Sequence, residues 1–179
     1  MKKLLSLKAW QLFVICLLGY ITLPYGIGEI IDAISGILFV VWMYAIGYYG
    51  EEKLRLMGLP AKNFELFRFN VYFIIILGVL MNILFFVWTP EEGMFDSFES
   101  WFIIPIMMIL YFLYAMLHSL VFVSKTISEL ERKQPASFGD FVVNLVLLVI
   151  FVIGVWFLVP KVKKYLVGEY DEANLFESI

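Results

Sequence analysis

"NVYFIIILGVLMNILFFVW", residues 70–88, carries no charged side chain from end to end. A bilayer's hydrocarbon core is about 30 Å thick, and a helix rising 1.5 Å per residue crosses it in about 20 apolar residues. This stretch has that length. Its β-branched and aromatic residues would suggest strands in water. In hydrocarbon the backbone has no water to bond, so the run must be helical.

Four more runs of comparable length flank it, at about 7–25, 29–49, 101–123 and 141–159. The last, "FVVNLVLLVIFVIGVWFLVP", is as free of charge as the first quoted; the run at 7–25 is diluted by Gly19, Thr22 and Pro24. The expected fold is therefore all-α: one integral membrane domain over residues 1–179, a polytopic bundle of about five spanning helices at 7–25, 29–49, 70–88, 101–123 and 141–159. An acidic tail follows from about residue 168.

Composition agrees. The chain is 63% hydrophobic and 16% charged, with mean hydropathy +0.91. Soluble domains are about half apolar and about a quarter charged. Eighteen Phe, ten Tyr and five Trp exceed what one small aqueous core can hide. The net charge of −3 suggests no nucleic-acid partner. The single cysteine, Cys16, allows no internal disulfide and says nothing of the redox compartment. The opening "MKKLLSLKAWQLFVICLLGYITLPYG" has a signal sequence's lysines and apolar core but no small-x-small site after them, so it reads as an uncleaved first span.

Orientation follows from the lysines and arginines. Lys2, Lys3 and Lys8 precede the first span; Lys53, Arg55, Lys62 and Arg68 separate the second from the third; Lys125, Arg132 and Lys133 separate the fourth from the fifth. The opposite loops, "YGIG" and "TPEEGMFDSFES", hold none. A cytoplasmic N-terminus in a bacterial inner membrane is expected. Lys161, Lys163 and Lys164 conflict with it if the fifth run crosses fully; a re-entrant fifth segment would remove the conflict. Five crossings are preferred here, because a long uncharged run is costly to keep out of the bilayer. Trp88, Trp101 and Trp156 then form an outer interfacial belt, with Trp10, Tyr48 and Tyr49 in the inner one.

Between spans, "EEKLRLMGLPAKNFELFRF" places Leu54, Met57, Phe64 and Phe67 among charges, the pattern of a segment lying on the membrane surface. The fourth helix should run on to about Lys133 and stop at Pro135, with Ser137 or Asp140 capping the next. Pro105 should kink the fourth span. Gly47, Gly78 and Gly154 permit close helix contact, although no clean GxxxG is present.

Few residues can carry chemistry. Glu29 and Asp32 share one face of the second span, in its first turns. They are a candidate ion or proton site, since ionisable groups at membrane depth are costly and often functional. The plainer reading, preferred here, is that they face water and the helix dipole, worth about 0.3–1 kcal/mol. Glu91, Glu92, Asp96 and Glu99 extend the acidic character of that side. His118, Ser119 and Asn144 fall at similar depth and, with Asn82, form a candidate intramembrane polar cluster. Interhelical hydrogen bonds, about 0.6 kcal/mol each, explain them more simply than catalysis. No phosphate-binding loop, HExxH, GxSxG or Cys/His cluster is present, so neither a cofactor nor a metal is expected.

"LKAWQLF" at the start, "WMYAIGYYGEEKLRLMGLP" at the second span's exit and "SELERKQPASFGDFVVNLVLLVIFVIGVWFLVPKV" near the end resemble a group of uncharacterised small bacterial membrane proteins. Their last helix ends in a Pro-Ile-Gly-Ile-Trp-Phe-Ile-Gln-Pro-Arg-like motif. Ile153, Gly154, Trp156, Phe157 and Pro160 fit it; Val152 stands for the proline and Val159 for the glutamine. A bend that such a proline would introduce is not implied for this chain. The resemblance implies a polytopic inner-membrane protein and no activity.

The expected role is that of a non-enzymatic membrane component. Its partners would be the lipid bilayer and either further copies of itself or another membrane protein. The alternatives are a cation- or proton-linked transporter or channel using Glu29 and Asp32, and a lipid-modifying enzyme using His118, Ser119 and Asn144.

Overall fold

The computed structural model describes residues 2–18, 27–59, 63–87 and 103–168. All regular structure among them is helical: α1 (Lys2–Leu5), α2 (Ala9–Leu18), α3 (Ile27–Leu56), α4 (Phe64–Val87), α5 (Ile103–Arg132), α6 (Phe138–Val149) and α7 (Phe151–Val162), closed by a π-helical turn at Lys163–Val167. Three of these, α3, α4 and α5, are long and apolar enough to cross a membrane. Of the run at 7–25, α2 is described; residues 19–26 lie outside the described residues, as do Trp88, Trp101, the acidic residues at 91–99 and the tail from 169.

The core sits where α3, α4 and α5 meet. Water does not drive helices together inside lipid, so close packing must hold them. Gly47 supplies it: a Cβ there would run into the ring of Phe67, and Phe67 in turn stacks on Phe122 with centroids 4.3 Å apart. Trp42, Met43, Ala45 and Ile46 are fully enclosed around that contact. Gly50, one turn on, meets the methyl of Thr126 in the same way. Gly78 does not take part, because nothing lies within 4 Å of where its Cβ would be. The outward faces of α4 and α5 stay apolar and exposed: Tyr72, Ile76 and Leu80 on one, Ile106, Leu110, Leu113 and Leu117 on the other.

The termini of α5 obey local rules. Pro105 falls in the first described turn of α5. The helix ends at Arg132, and Lys133 takes φ +56°, the left-handed turn that stops a helix. Ser137 then caps α6, and both its N–H and its hydroxyl donate to Asp140 Oδ2, at 2.8 and 2.7 Å.

The largest departure from expectation is the fifth run. It is not one helix across the bundle but two 12-residue helices broken at Ile150, whose φ −91°, ψ +56° is not helical. Each arm is about 18 Å long, roughly half a membrane with its headgroups. α7 doubles back so tightly that a Cβ on Gly154 would strike the carbonyl of Leu147. The turn reaches only the middle of α3, where Phe151 packs on Phe39 and Trp42 at 4.5 and 5.7 Å. The returning arm ends beside its starting point: Lys161 Nζ donates to Glu131 Oε2 at the end of α5, and Lys53 Nζ, near the end of α3, donates to the carbonyl of Tyr165 at 2.6 Å. Pro160, which has no N–H to give, precedes the widened π turn, and Lys163 N–H is shared between the carbonyls of Val159 and Pro160.

Two expectations change with it. Trp156 is not in an outer belt; it packs on Phe13 of α2 at 5.8 Å, part-way back along the returning arm. The basic residues among those described gather at one end of the bundle, called here the basic end, with Lys161, Lys163 and Lys164 beside the ends of α3 and α5. The segment expected to lie on the membrane surface is, in its described residues, the end of one bundle helix and the start of the next. α3 simply runs on to Leu56, turns through Gly58 at φ +71°, and α4 starts at Phe64, with Leu54 and Phe67 buried.

Candidate functional site

Buried polar side chains concentrate at the basic end. Ser124, Thr126, Ser128 and Glu129 make the last turns of α5 polar yet enclosed, because α3, α4 and the α6–α7 hairpin surround them. Ser128 is the junction. Its hydroxyl donates to the Ser124 carbonyl at 3.0 Å and lies 3.3 Å from the Asp140 carbonyl, and it accepts from Asn144 Nδ2 at 2.8 Å. The other end of the Asn144 amide, Oδ1, accepts from Lys161 Nζ at 3.3 Å, and the same ammonium reaches Glu131 at 2.8 Å. One chain of contacts therefore joins α5, α6 and α7. Arg132 pairs with Asp140 beside it, and Glu129 accepts from the Ala136 N–H at 3.3 Å, tying down the connection between α5 and α6. The Asp140 carboxyl is held below the usual carboxylate range, first by the Ser137 hydroxyl, then by the Ser137 N–H, with Arg132 adding to it.

This arrangement can brace helices, since Ser128, Asn144 and Lys161 each bond across from one helix to another. The polar cluster expected from Asn82, His118, Ser119 and Asn144 is not one site. Asn144 bonds Ser128, about 15 Å farther along α5 than His118 at 1.5 Å per residue. His118 lies against the Tyr114 ring at 6.0 Å, and its Nδ1 has no partner among the described residues. Ser119 is fully buried, and its hydroxyl too has no partner there. Asn82 is near the opposite end of α4, where its Nδ2 donates to the Gly78 carbonyl at 2.8 Å. Glu29 and Asp32 occupy the first turns of α3, at the end away from the basic residues; their side chains lie outside the described residues.

Sequence reading missed Asn70, which is fully buried in α4 and accepts from the Tyr111 hydroxyl at 2.9 Å. Its place next to the charged turn at Arg68 hid it among interfacial residues. It also missed Ser128 and Lys161, whose roles depend on a turn that no residue at position 150 announces.

A cavity of about 360 Å³ opens between α3, α4 and α5 in the half away from the basic end. Its walls run from Ala33 to Val40 on α3 and from Ile74 to Asn82 on α4, closed by Phe112 and Met116 of α5. Gly36 and Gly78 line it with no side chain to fill it. Comparison with known proteins adds nothing to these contacts: no family model matches the chain, and no curated protein or solved structure is similar to it.

Proposed function

We propose that this chain is a non-enzymatic integral protein of a bacterial cytoplasmic membrane, acting as a subunit of an oligomer or of a larger membrane complex. The observation that carries the reading is the break at Ile150. Non-helical backbone at membrane depth is stable only where protein covers it or it lines a wet cavity. Ile150 is 51% exposed and Val149 63% exposed, and Val146 and Ile153 extend the same bare apolar surface. The described residues of one copy leave this turn bare, and a second protein surface would cover it. The polar groups at the basic end are engaged in holding α5, α6 and α7 together, which also favours a structural role. In this reading four segments cross, the α6–α7 hairpin enters and leaves on the cytoplasmic side, and the basic end faces the cytoplasm.

Replacing Ile150 by Cys in a Cys16→Ser background tests it. Oxidation in native membranes should trap a crosslinked species, either twice the chain's mass or the chain plus one discrete partner. A strict monomer by native mass spectrometry, with no crosslink, would remove the reading.

The cation- or proton-linked alternative draws on one feature: the cavity wall begins at Ala33, next to Asp32. Reconstituted protein should then pass ions, and Asp32→Asn should change the flux.

A further inference from the structure

We propose that the cavity between α3, α4 and α5 is a binding slot for one acyl chain of a phospholipid from the leaflet away from the basic end. Shape comes first. At 1.5 Å per residue the walls Ala33–Val40 and Ile74–Asn82 follow the helix axes for about 10–12 Å, the direction in which lipid chains lie. The cavity's volume of about 360 Å³ is many times the roughly 10–15 Å³ that one water needs.

Chemistry then limits the occupant. A water at rest in a cavity needs two to four polar partners, and among the described lining residues Asn82 has the one polar side chain. An empty slot would strip its walls of contact atoms on one side. Hydrocarbon is the remaining filler, and in a bilayer it is the surrounding solvent. The slot is also polar at one end only. Asn82 sits at its outer mouth, with one N–H of its amide fixed on the Gly78 carbonyl. The second N–H of that amide is suited to an ester carbonyl. A fatty-acid carboxylate would call for a cation, whereas the lysines and arginines of the described residues gather at the opposite end. This favours an esterified chain over a free one. Gly36 and Gly78 are what keep the slot open, since neither has an atom within 4 Å of its Cβ position.

The full chain in nanodiscs, containing phosphatidylglycerol with a diazirine at the end of one acyl chain, provides the test. Irradiation should label Phe112 or Met116 as well as the lipid-facing Leu113 and Leu117. In Gly36→Leu/Gly78→Leu, labelling of Phe112 and Met116 should fall at least tenfold while Leu113 and Leu117 keep theirs. If the double variant does not assemble, Gly78→Leu alone is read in the same way, together with loss of one phospholipid retained by the wild-type chain in native mass spectrometry. Unchanged labelling of Met116 in the filled variants would overturn the proposal. Stronger labelling of the slot by a diazirine fatty acid than by the phospholipid would overturn the assignment to an esterified chain.

Discussion

Lys161 Nζ lies 2.8 Å from Glu131 Oε2, although thirty residues and a complete helical hairpin separate them in sequence. The same ammonium is 3.3 Å from Asn144 Oδ1 on the outgoing arm. One side chain on α7 thus holds the end of α5 and the middle of α6 at once, which is possible only if the last apolar run turns back along itself.

The ion pair itself should be worth little. Both side chains are about a third exposed, Lys161 at 32% and Glu131 at 37%, and water screens such pairs. Lys161→Met should cost about 1 kcal/mol or less. The reversed pair, Lys161→Glu with Glu131→Lys, should recover more stability than either single change. Thermal unfolding in detergent reads both.

Asn144 should matter more, because it is 2% exposed and serves two partners. Asn144→Leu leaves Ser128 Oγ without its donor and Lys161 without one acceptor. Unpaired buried groups cost about 1–3 kcal/mol each, so the loss should exceed that of Lys161→Met in the same assay. Equal losses would mean that the network is not cooperative.

Glycine substitutions should separate packed positions from open ones. Gly154→Ala drives a methyl into the Leu147 carbonyl and should destabilise by about 1–3 kcal/mol or open the hairpin. Gly47→Ala meets the Phe67 ring and should be costly too. Gly78→Ala meets nothing and should be neutral or stabilising by up to about 1 kcal/mol, the helix propensity gained. Ser119→Ala should likewise be neutral or stabilising, since it removes a buried hydroxyl with no partner among the described residues.

Asp140 gives a pH dependence. Its folded pKa is lowered, chiefly by the Ser137 hydroxyl and N–H. A depressed carboxylate stabilises the fold above its unfolded pKa, about 3.9, and that contribution goes as pH falls through the lower folded value. The start of α6 should therefore be insensitive to pH from 5 to 8 and loosen only in strong acid. Asp140→Asn should remove that acid transition, which hydrogen exchange at residues 137–141 would follow.

How far the residues announced this structure differs by segment. The charge-free runs at 70–88 and 101–123 became α4 and α5 because hydrocarbon leaves the backbone no alternative to a helix. The stop at Arg132 and the cap at Ser137 were equally plain, since Pro135, Ser137 and Asp140 act locally. The break at Ile150 was not, because neither proline nor glycine occupies the position. It goes with contacts made across the hairpin, Gly154 against Leu147 and Lys161 on Glu131 and Asn144. The sequence-level trace of it was Lys161, Lys163 and Lys164 following an apolar run on what seemed the wrong side. Among candidate site residues, Asn144 bonds Ser128 rather than His118 or Ser119, because α6 packs along the last turns of α5.

The return of α7 to the basic end is tested most directly by labelling single cysteines from outside the cell, in a Cys16→Ser background. Lys133→Cys and Lys164→Cys should both resist a membrane-impermeant maleimide in intact cells and both react once the membrane is opened. Reaction of Lys164→Cys in intact cells, with Lys133→Cys still protected, would show a full crossing and contradict the hairpin.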